Sequence, residues 1–290
     1  MVPPLPLSDP ARAAFLLGCQ GPDPFFYSFF THRPVERMRF GRQLHKTRVV
    51  QSLDVLRAAA SVYLAERAQV LEGYLRGWLA HFTLDSSAHP YIIATERALT
   101  GAGVKGLGQE AHSEVHGQIE SDLDGMMLAR RYGVTIRTFR PLSEVLLASN
   151  EALELIGVML RRVAAEAFAL RLPDSAYKTA VLGMRFCYRV LYSPSGLKRD
   201  LLGRVERLFR PHSMAQATAH RADVGPECDF DNRQHNPWLN PFTGEKSEAG
   251  FLDIYSEAVA LCVARQALLS AGAPSHALTD GLNFEGQPIE

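Results

Sequence analysis

Helical periodicity is the feature of this 290-residue chain that most restricts its fold. Between residues 51 and 71, for example, Leu53, Leu56, Ala60 and Leu64 fall on one apolar stripe. Comparable patterns cover residues 72–88, 108–132, 142–171, 175–192, 197–209 and 249–271. Alternating apolar and polar residues bounded by turn signals are almost absent. The sequence therefore predicts an all-α protein built as a multi-helix bundle.

Two features of the chain predict where this helical pattern is interrupted. Pro90 is expected to end the second helix, because the residue before a proline is disfavoured in the helical conformation. Residues 211–248 are rich in Pro, Gly, Asn and Asp, and are expected to form a long irregular loop. Trp238 and Phe242 favour a loop that packs onto the body of the protein. The chain contains no internal repeat and no low-complexity segment, so we expect one domain over residues 1–290.

Charge and cysteine usage exclude several classes of protein. Lys plus Arg total 31 and Asp plus Glu total 31, and this balance disfavours nucleic-acid binding by bulk charge. No run of 18 apolar residues exists, so no transmembrane segment is expected. The apolar stretch before Cys19 is too short for a lipoprotein signal. The four cysteines are scattered, as is typical of reduced thiols in a cytoplasmic protein.

Two segments carry histidines and carboxylates at a repeated spacing of four. Residues 81–89 read HFTLDSSAH and residues 112–120 read HSEVHGQIE. This spacing puts His81, Asp85 and His89 on one face of a helix, and it does the same for His112, His116 and Glu120. Two such faces packed together form a nitrogen and oxygen site suited to zinc, although manganese or iron also accepts this mixed donor set. The competing interpretation is a stripe of surface charge, which the interleaved apolar residues disfavour.

Several motifs resemble the zinc-dependent phospholipase C family, most closely its uncharacterised bacterial branch. They are GCQGPDPFFY at 18–27, GRQLHK at 41–46, GYLRGWLAHFTLDSSAHPYI at 73–92, HGQIESDLD at 116–124 and the segment 229–258. The resemblance implies an all-α fold of the type shared by phospholipase C and related nucleases. It also implies a metal cleft between helices that holds two or three zinc ions.

The resemblance implies two ligand sets. Those of one zinc ion are Asp23, His45, His81 and Asp85, and those of a second are His89, His116 and Glu120. His112 fits the four-residue spacing but matches no family ligand, so it is expected beside the site or in solvent.

The sequence departs from the family pattern at two places. Residues 1–31 contain no histidine to serve a third zinc, so two ions are expected and a third is disfavoured. Pro24 follows Asp23 where choline-binding members carry an aromatic residue, so phosphatidylcholine specificity is not implied.

The function implied is zinc-dependent hydrolysis of a small-molecule or lipid phosphate ester of unknown identity. Asp23 and Glu120 are the candidates for orienting or deprotonating the attacking water. A nuclease-like phosphodiesterase and a metal-binding protein without hydrolytic activity remain open alternatives. Asp122 or Asp124 is expected to accept the second ring N–H of a ligand histidine. The aromatic run at 25–27 is expected in the core, with an apolar pocket wall as the alternative.

Overall fold

A computed structural model describes residues 9–223 and 230–289, and these residues are mostly helical. The α-helices are α1 (Asp9–Gly18), α2 (Pro34–Lys46), α3 (Val49–Ser61), α4 (Ala65–Gly101), α5 (His112–Tyr132), α6 (Pro141–Glu144), α7 (Asn150–Phe168), α8 (Ala176–Leu191), α9 (Leu197–Glu206), α10 (Met214–Thr218), α11 (Phe251–Ser270) and α12 (His276–Thr279). Short 3₁₀ helices cover Asp23–Phe30 and Gln109–Ala111. Strands β1 (Trp238–Leu239) and β2 (Lys246–Ser247) form one antiparallel pair. The all-α prediction is confirmed.

The chain folds as two compact units. The first unit comprises Met1–Ser87, Pro141–Cys187 and Ala258–Glu290, and the second comprises Ala88–Arg140 and Tyr188–Glu257. Among the described residues, no helix is long and apolar enough to cross a membrane.

In the first unit, α1 packs closely against α4 because two glycines remove side chains from the contact. A Cβ atom at Gly77 would lie 2.1 Å from the carbonyl oxygen of Phe15, and one at Gly73 would lie 2.4 Å from that of Ala11. Any larger residue at either position forces the two helix backbones apart.

A cluster of aromatic rings forms part of the core of the first unit. The Phe25 ring lies 5.1 Å from that of Phe40 and 5.9 Å from that of Tyr177, and Tyr177 in turn contacts Tyr74. All four side chains are buried. Because Phe25 belongs to the 3₁₀ helix that begins at Asp23, its burial anchors that helix against α2.

In the second unit, the region predicted as a packed irregular loop is packed but partly regular. It contains α10, which contacts α5 and α9, as well as the two short strands. The Trp238 ring lies 5.4 Å from Tyr91, its indole N–H donates to the carbonyl oxygen of Ala249, and Phe242 is half-buried. Residues 224–229 lie outside the described part of the chain.

The prediction that Pro90 ends a helix is wrong, because α4 continues through this proline to Gly101. Proline costs the helix one backbone hydrogen bond. The residues around it, Ala88, Tyr91 and Ile92, are all buried, and their packing outweighs that loss.

Two other predicted helices have different bounds from those expected. The helix predicted over 51–71 is interrupted after Ser61, so Leu64 lies outside the apolar stripe and is 85% exposed. The helix predicted over 142–171 is divided into α6 and α7. Ser149 begins α7 because its hydroxyl accepts a hydrogen bond from the backbone N–H of Ala152 at 3.2 Å.

Candidate metal centre

The first unit brings together three of the predicted ligands from three separate segments. Asp23 begins the 3₁₀ helix, His45 lies in the last turn of α2, and His81 lies in α4. One potential ligand atom from each of the three lies within 4.8 Å of the other two. The fourth predicted ligand, Asp85, is adjacent, since its Oδ2 lies 3.1 Å from Nε2 of His81. We call these four residues the first group.

The hydrogen bonds of His45 direct its second ring nitrogen at a carboxylate of the first group. Its Nδ1 lies 2.8 Å from the carbonyl oxygen of Gly41, which only accepts hydrogen bonds, so Nδ1 carries a proton. Its Nε2 lies 3.0 Å from Oδ1 of Asp23. In a neutral ring this nitrogen would turn its lone pair toward the carboxylate, and the two acceptors would repel. A metal cation bound by both atoms removes the repulsion, so the donor set fits a metal.

Glycine at position 21 is required for the placement of His81. Gly21 has φ +47°, in the left-handed region, and a Cβ atom there would lie 2.1 Å from Cδ2 of the His81 ring. This residue was not predicted to belong to the site, although it stands only two positions before Asp23.

Aromatic side chains hold the histidine rings of the first group in place. The Phe26 ring stacks on His45 with centroids 5.2 Å apart and an interplanar angle of 22°. Phe284, which is buried near the end of the described chain, lies 5.1 Å from the His45 ring and 5.6 Å from the His81 ring. Its backbone N–H also donates to the carbonyl oxygen of His45. The C-terminal segment thus packs directly on two predicted ligands.

The second unit brings together the other three predicted ligands, which we call the second group. Their potential ligand atoms also lie within 4.8 Å of one another. Oε1 of Glu120 lies 3.3 Å from Nε2 of His89 and 3.2 Å from Nε2 of His116. The two imidazole rings stack with centroids 5.5 Å apart. One carboxylate oxygen thus faces two ring nitrogens, as expected where ligands converge on one cation.

Glu96 also belongs to this site, although it was not predicted from the sequence. Its Oε2 accepts a hydrogen bond from Nδ1 of His116 at 2.9 Å, which leaves Nε2 of the same ring directed at Glu120. A carboxylate that orients a ligand histidine in this way is typical of metal sites. One feature of the sequence could have identified Glu96: it stands seven residues after His89, two turns further along the same face of α4.

The charges of the second group perturb two pKa values in opposite directions. Burial lowers the pKa of His116, but hydrogen bonds with Glu120 and Glu96 outweigh it and raise this pKa to about 9. Partial burial raises the pKa of Glu120, whose side chain still reaches solvent, but hydrogen bonds with His116 and His89 outweigh it and hold this pKa well below its usual range. In the absence of a cation, the additional proton that gives the His116 ring its positive charge balances the negative charge of the carboxylates. A bound metal ion would take the place of that proton.

Three other predicted polar residues lie outside the second group. His112 is exposed, and its Nδ1 lies 3.8 Å from Oε1 of Glu96, so it stands beside the site as expected. Asp122 contacts Gln118 and Arg221, whereas Asp124 contacts His220. The expectation that one of these aspartates orients a ligand histidine is wrong for His116 and His45, because Glu96 and the Gly41 carbonyl accept those protons.

Comparison of the chain with family models, with curated proteins and with solved structures finds no match in any of the three.

Proposed function

We propose that this protein is a zinc-dependent phosphoric ester hydrolase whose substrate is a small-molecule or lipid phosphate ester. The observation that carries the proposal is a hydrogen-bond arrangement found in both groups. In His45 and in His116, an acceptor holds the proton on Nδ1 while Nε2 faces a carboxylate oxygen. This arrangement directs the lone pair of each Nε2 toward the position of a cation.

The first ion would be held by Asp23, His45 and His81, with Asp85 beside them, and the second by His89, His116 and Glu120. When bound, zinc supplies positive charge for a phosphoryl oxygen and lowers the pKa of a water molecule to about 7. The resemblance to phospholipase C in the motifs around these residues supports zinc in preference to manganese or iron.

Two carboxylates are the candidates for proton transfer in this chain. The side chain of Asp23 is 37% exposed and that of Glu120 is 45% exposed, so water reaches both. Each can orient a water molecule and accept its proton at a carboxylate oxygen. The histidines of both groups are more deeply buried, which suits a role in binding the ions.

The exposure of these carboxylates also supports a catalytic rather than a purely structural role. A structural zinc site is closed by four protein ligands, whereas a catalytic site keeps one position open to water or substrate. Because Asp23 and Glu120 both reach solvent, a phosphate ester can approach either group without displacing a protein ligand.

Metal content tests the site itself. Protein purified without added zinc should contain about two metal ions per chain, as two three-residue ligand sets require. His81→Ala should lose the ion of the first group and Glu120→Ala that of the second, because each removes a ligand. His32→Ala is the matched control, since His32 is exposed and belongs to neither group. Less than one ion per wild-type chain contradicts the proposal.

Activity tests the reaction. The metal-loaded protein should hydrolyse phosphodiester or phosphomonoester reporter substrates, and His81→Ala and Glu120→Ala should each lower the rate at least about a hundredfold. A single-stranded oligonucleotide serves as the probe for the nuclease alternative. Two bound ions with no hydrolysis sensitive to these variants would instead identify a metal-binding protein without this activity.

A further inference from the structure

Helix α9 and the turn that follows it expose an unusually apolar surface. Its members are Leu197, Leu201, Val205, Leu208 and Phe209, with exposed fractions from 49% to 83%. The first three repeat every four residues, so they form one stripe along the helix. Backbone hydrogen bonds from Leu208 to Val205 and from Phe209 to Glu206 continue the helical turn past the end of α9. We call these five residues the α9 surface.

The α9 surface is exposed because the helix packs through its opposite side. Gly203 is buried, and a Cβ atom there would lie 2.6 Å from Oε1 of Gln216. Leu202 and Glu206 are partly buried on the same side, and Glu206 accepts hydrogen bonds from Ser213 and the backbone N–H of Ala215. A surface helix normally turns its apolar stripe to the core, and α9 does the reverse.

Basic residues surround the α9 surface. Residues 197–210 contain five basic side chains (Lys198, Arg199, Arg204, Arg207 and Arg210) and two acidic ones (Asp200 and Glu206), a local excess of three positive charges in a chain of zero net charge. Three of the arginines bond to neighbouring groups. Arg199 bonds to Gln118 and to the carbonyl oxygen of Ala219, and Arg210 pairs with Glu206 and Glu114. Arg207 bonds to Gln216 and Lys198 to the carbonyl oxygen of Arg189, but both of these side chains and that of Arg204 are exposed.

We propose that the α9 surface binds an anionic lipid surface, with the apolar side chains inserted among the acyl chains and the basic ones at the headgroups. Exposed apolar residues bordered by Lys and Arg on a short helix are the signature of an interfacial amphipathic helix. Anionic headgroups complement the local positive charge. The surface requires neither metal group, so this proposal goes beyond the hydrolytic one and is tested without it.

Co-sedimentation with vesicles tests this binding. The full-length protein should bind vesicles that contain phosphatidylglycerol and phosphatidylcholine, and should bind pure phosphatidylcholine vesicles at least about tenfold more weakly, because several cations contact the anionic headgroups. Raising the salt concentration to about 0.5 M should weaken the binding, because the cations are solvent-exposed.

Variants assign the binding to the α9 surface. Leu201→Gln with Phe209→Gln should lower the vesicle partition coefficient at least about tenfold, since two apolar side chains no longer insert. Lys198→Gln with Arg204→Gln should remove much of the preference for anionic vesicles. Val62→Gln with Leu64→Gln is the matched control, because these two apolar residues are equally exposed elsewhere in the chain. It should bind as the wild type does.

Three results would overturn the proposal. The first is no binding to either kind of vesicle by a folded wild-type protein. The second is binding that the α9 variants leave unchanged. The third is a wild-type dimer that Leu201→Gln with Phe209→Gln dissociates while vesicles do not bind, which would assign the α9 surface to self-association. Because all substituted side chains are exposed, circular dichroism should show the same helix content in every variant.

Discussion

The two groups of candidate ligands differ in how the chain assembles and supports them. The first combines residues from three segments, and the half-buried ring of Phe26 and the buried ring of Phe284 support its histidines. The second comes from two helices, and a carboxylate, Glu96, supports its central histidine. The group that accepts the hydrogen bond from Nδ1 also differs. It is a backbone carbonyl for His45 and a charged side chain for His116.

This contrast indicates that the two groups respond to different perturbations. The geometry of the first depends on close packing, so changes of volume around its rings should weaken it. The second depends on charged hydrogen bonds, so an isosteric change of charge should weaken it. Metal affinity of each group is measured separately by chelator competition, with Glu120→Ala as the background for the first group and His81→Ala for the second.

The largest effect is expected from Phe284→Ala. Removing this buried ring leaves a cavity beside His45, His81 and Trp78, and should lower the free energy of unfolding by about 3–5 kcal/mol. It should also weaken metal binding by the first group and not by the second. Urea unfolding and chelator competition measure the two quantities. Leu56→Ala, which truncates a buried side chain of α3, is the control. It should lower the free energy of unfolding without loss of metal affinity in the first group.

Gly21→Ala is expected to have the next largest effect. The left-handed backbone conformation costs an alanine about 1–2 kcal/mol, and the new methyl group displaces the His81 ring. The affinity of the first group should therefore fall at least about tenfold, which corresponds to about 1.4 kcal/mol. Gly272→Ala is matched to it, because Gly272 has φ +77° but no atom within 4 Å of the place that the new methyl group would occupy. Equal affinities in the two variants would show that the close contact with His81 is unimportant.

Glu96→Gln tests whether charged hydrogen bonds support the second group. The amide keeps the size of the side chain but removes its charge, so the affinity of the second group should fall about 10- to 100-fold. The first group should be unaffected. Glu110→Gln, an exposed carboxylate outside both groups, is the control. A comparable loss in the first group would contradict the separate roles of the two sites.

The smallest effect is expected from His112→Ala. Its side chain is 59% exposed and its Nδ1 lies 3.8 Å from Glu96, beyond hydrogen-bond distance. The affinity of the second group should change by less than about threefold, as expected for an exposed charged pair. A tenfold loss would identify His112 as an additional ligand.

The helical class and most of the candidate ligands were predictable from local spacing. Side chains four residues apart share a helix face whatever the rest of the chain does, so His81, Asp85 and His89 were identified directly, as were His116 and Glu120. Asp23 and His45 followed only from the resemblance of their motifs, because a lone Asp in a turn and a lone His beside a lysine carry no spacing signal.

Tertiary structure alone decided what supports those ligands. The pairing of Glu96 with His116 joins side chains on two helices, the contact of Gly21 with His81 joins a turn to a helix, and Phe284 reaches His45 from more than two hundred residues away. Packing of the neighbouring residues likewise keeps α4 helical through Pro90. Local spacing is a property of one helix, whereas these contacts depend on how helices are brought together, and no short segment of sequence encodes that.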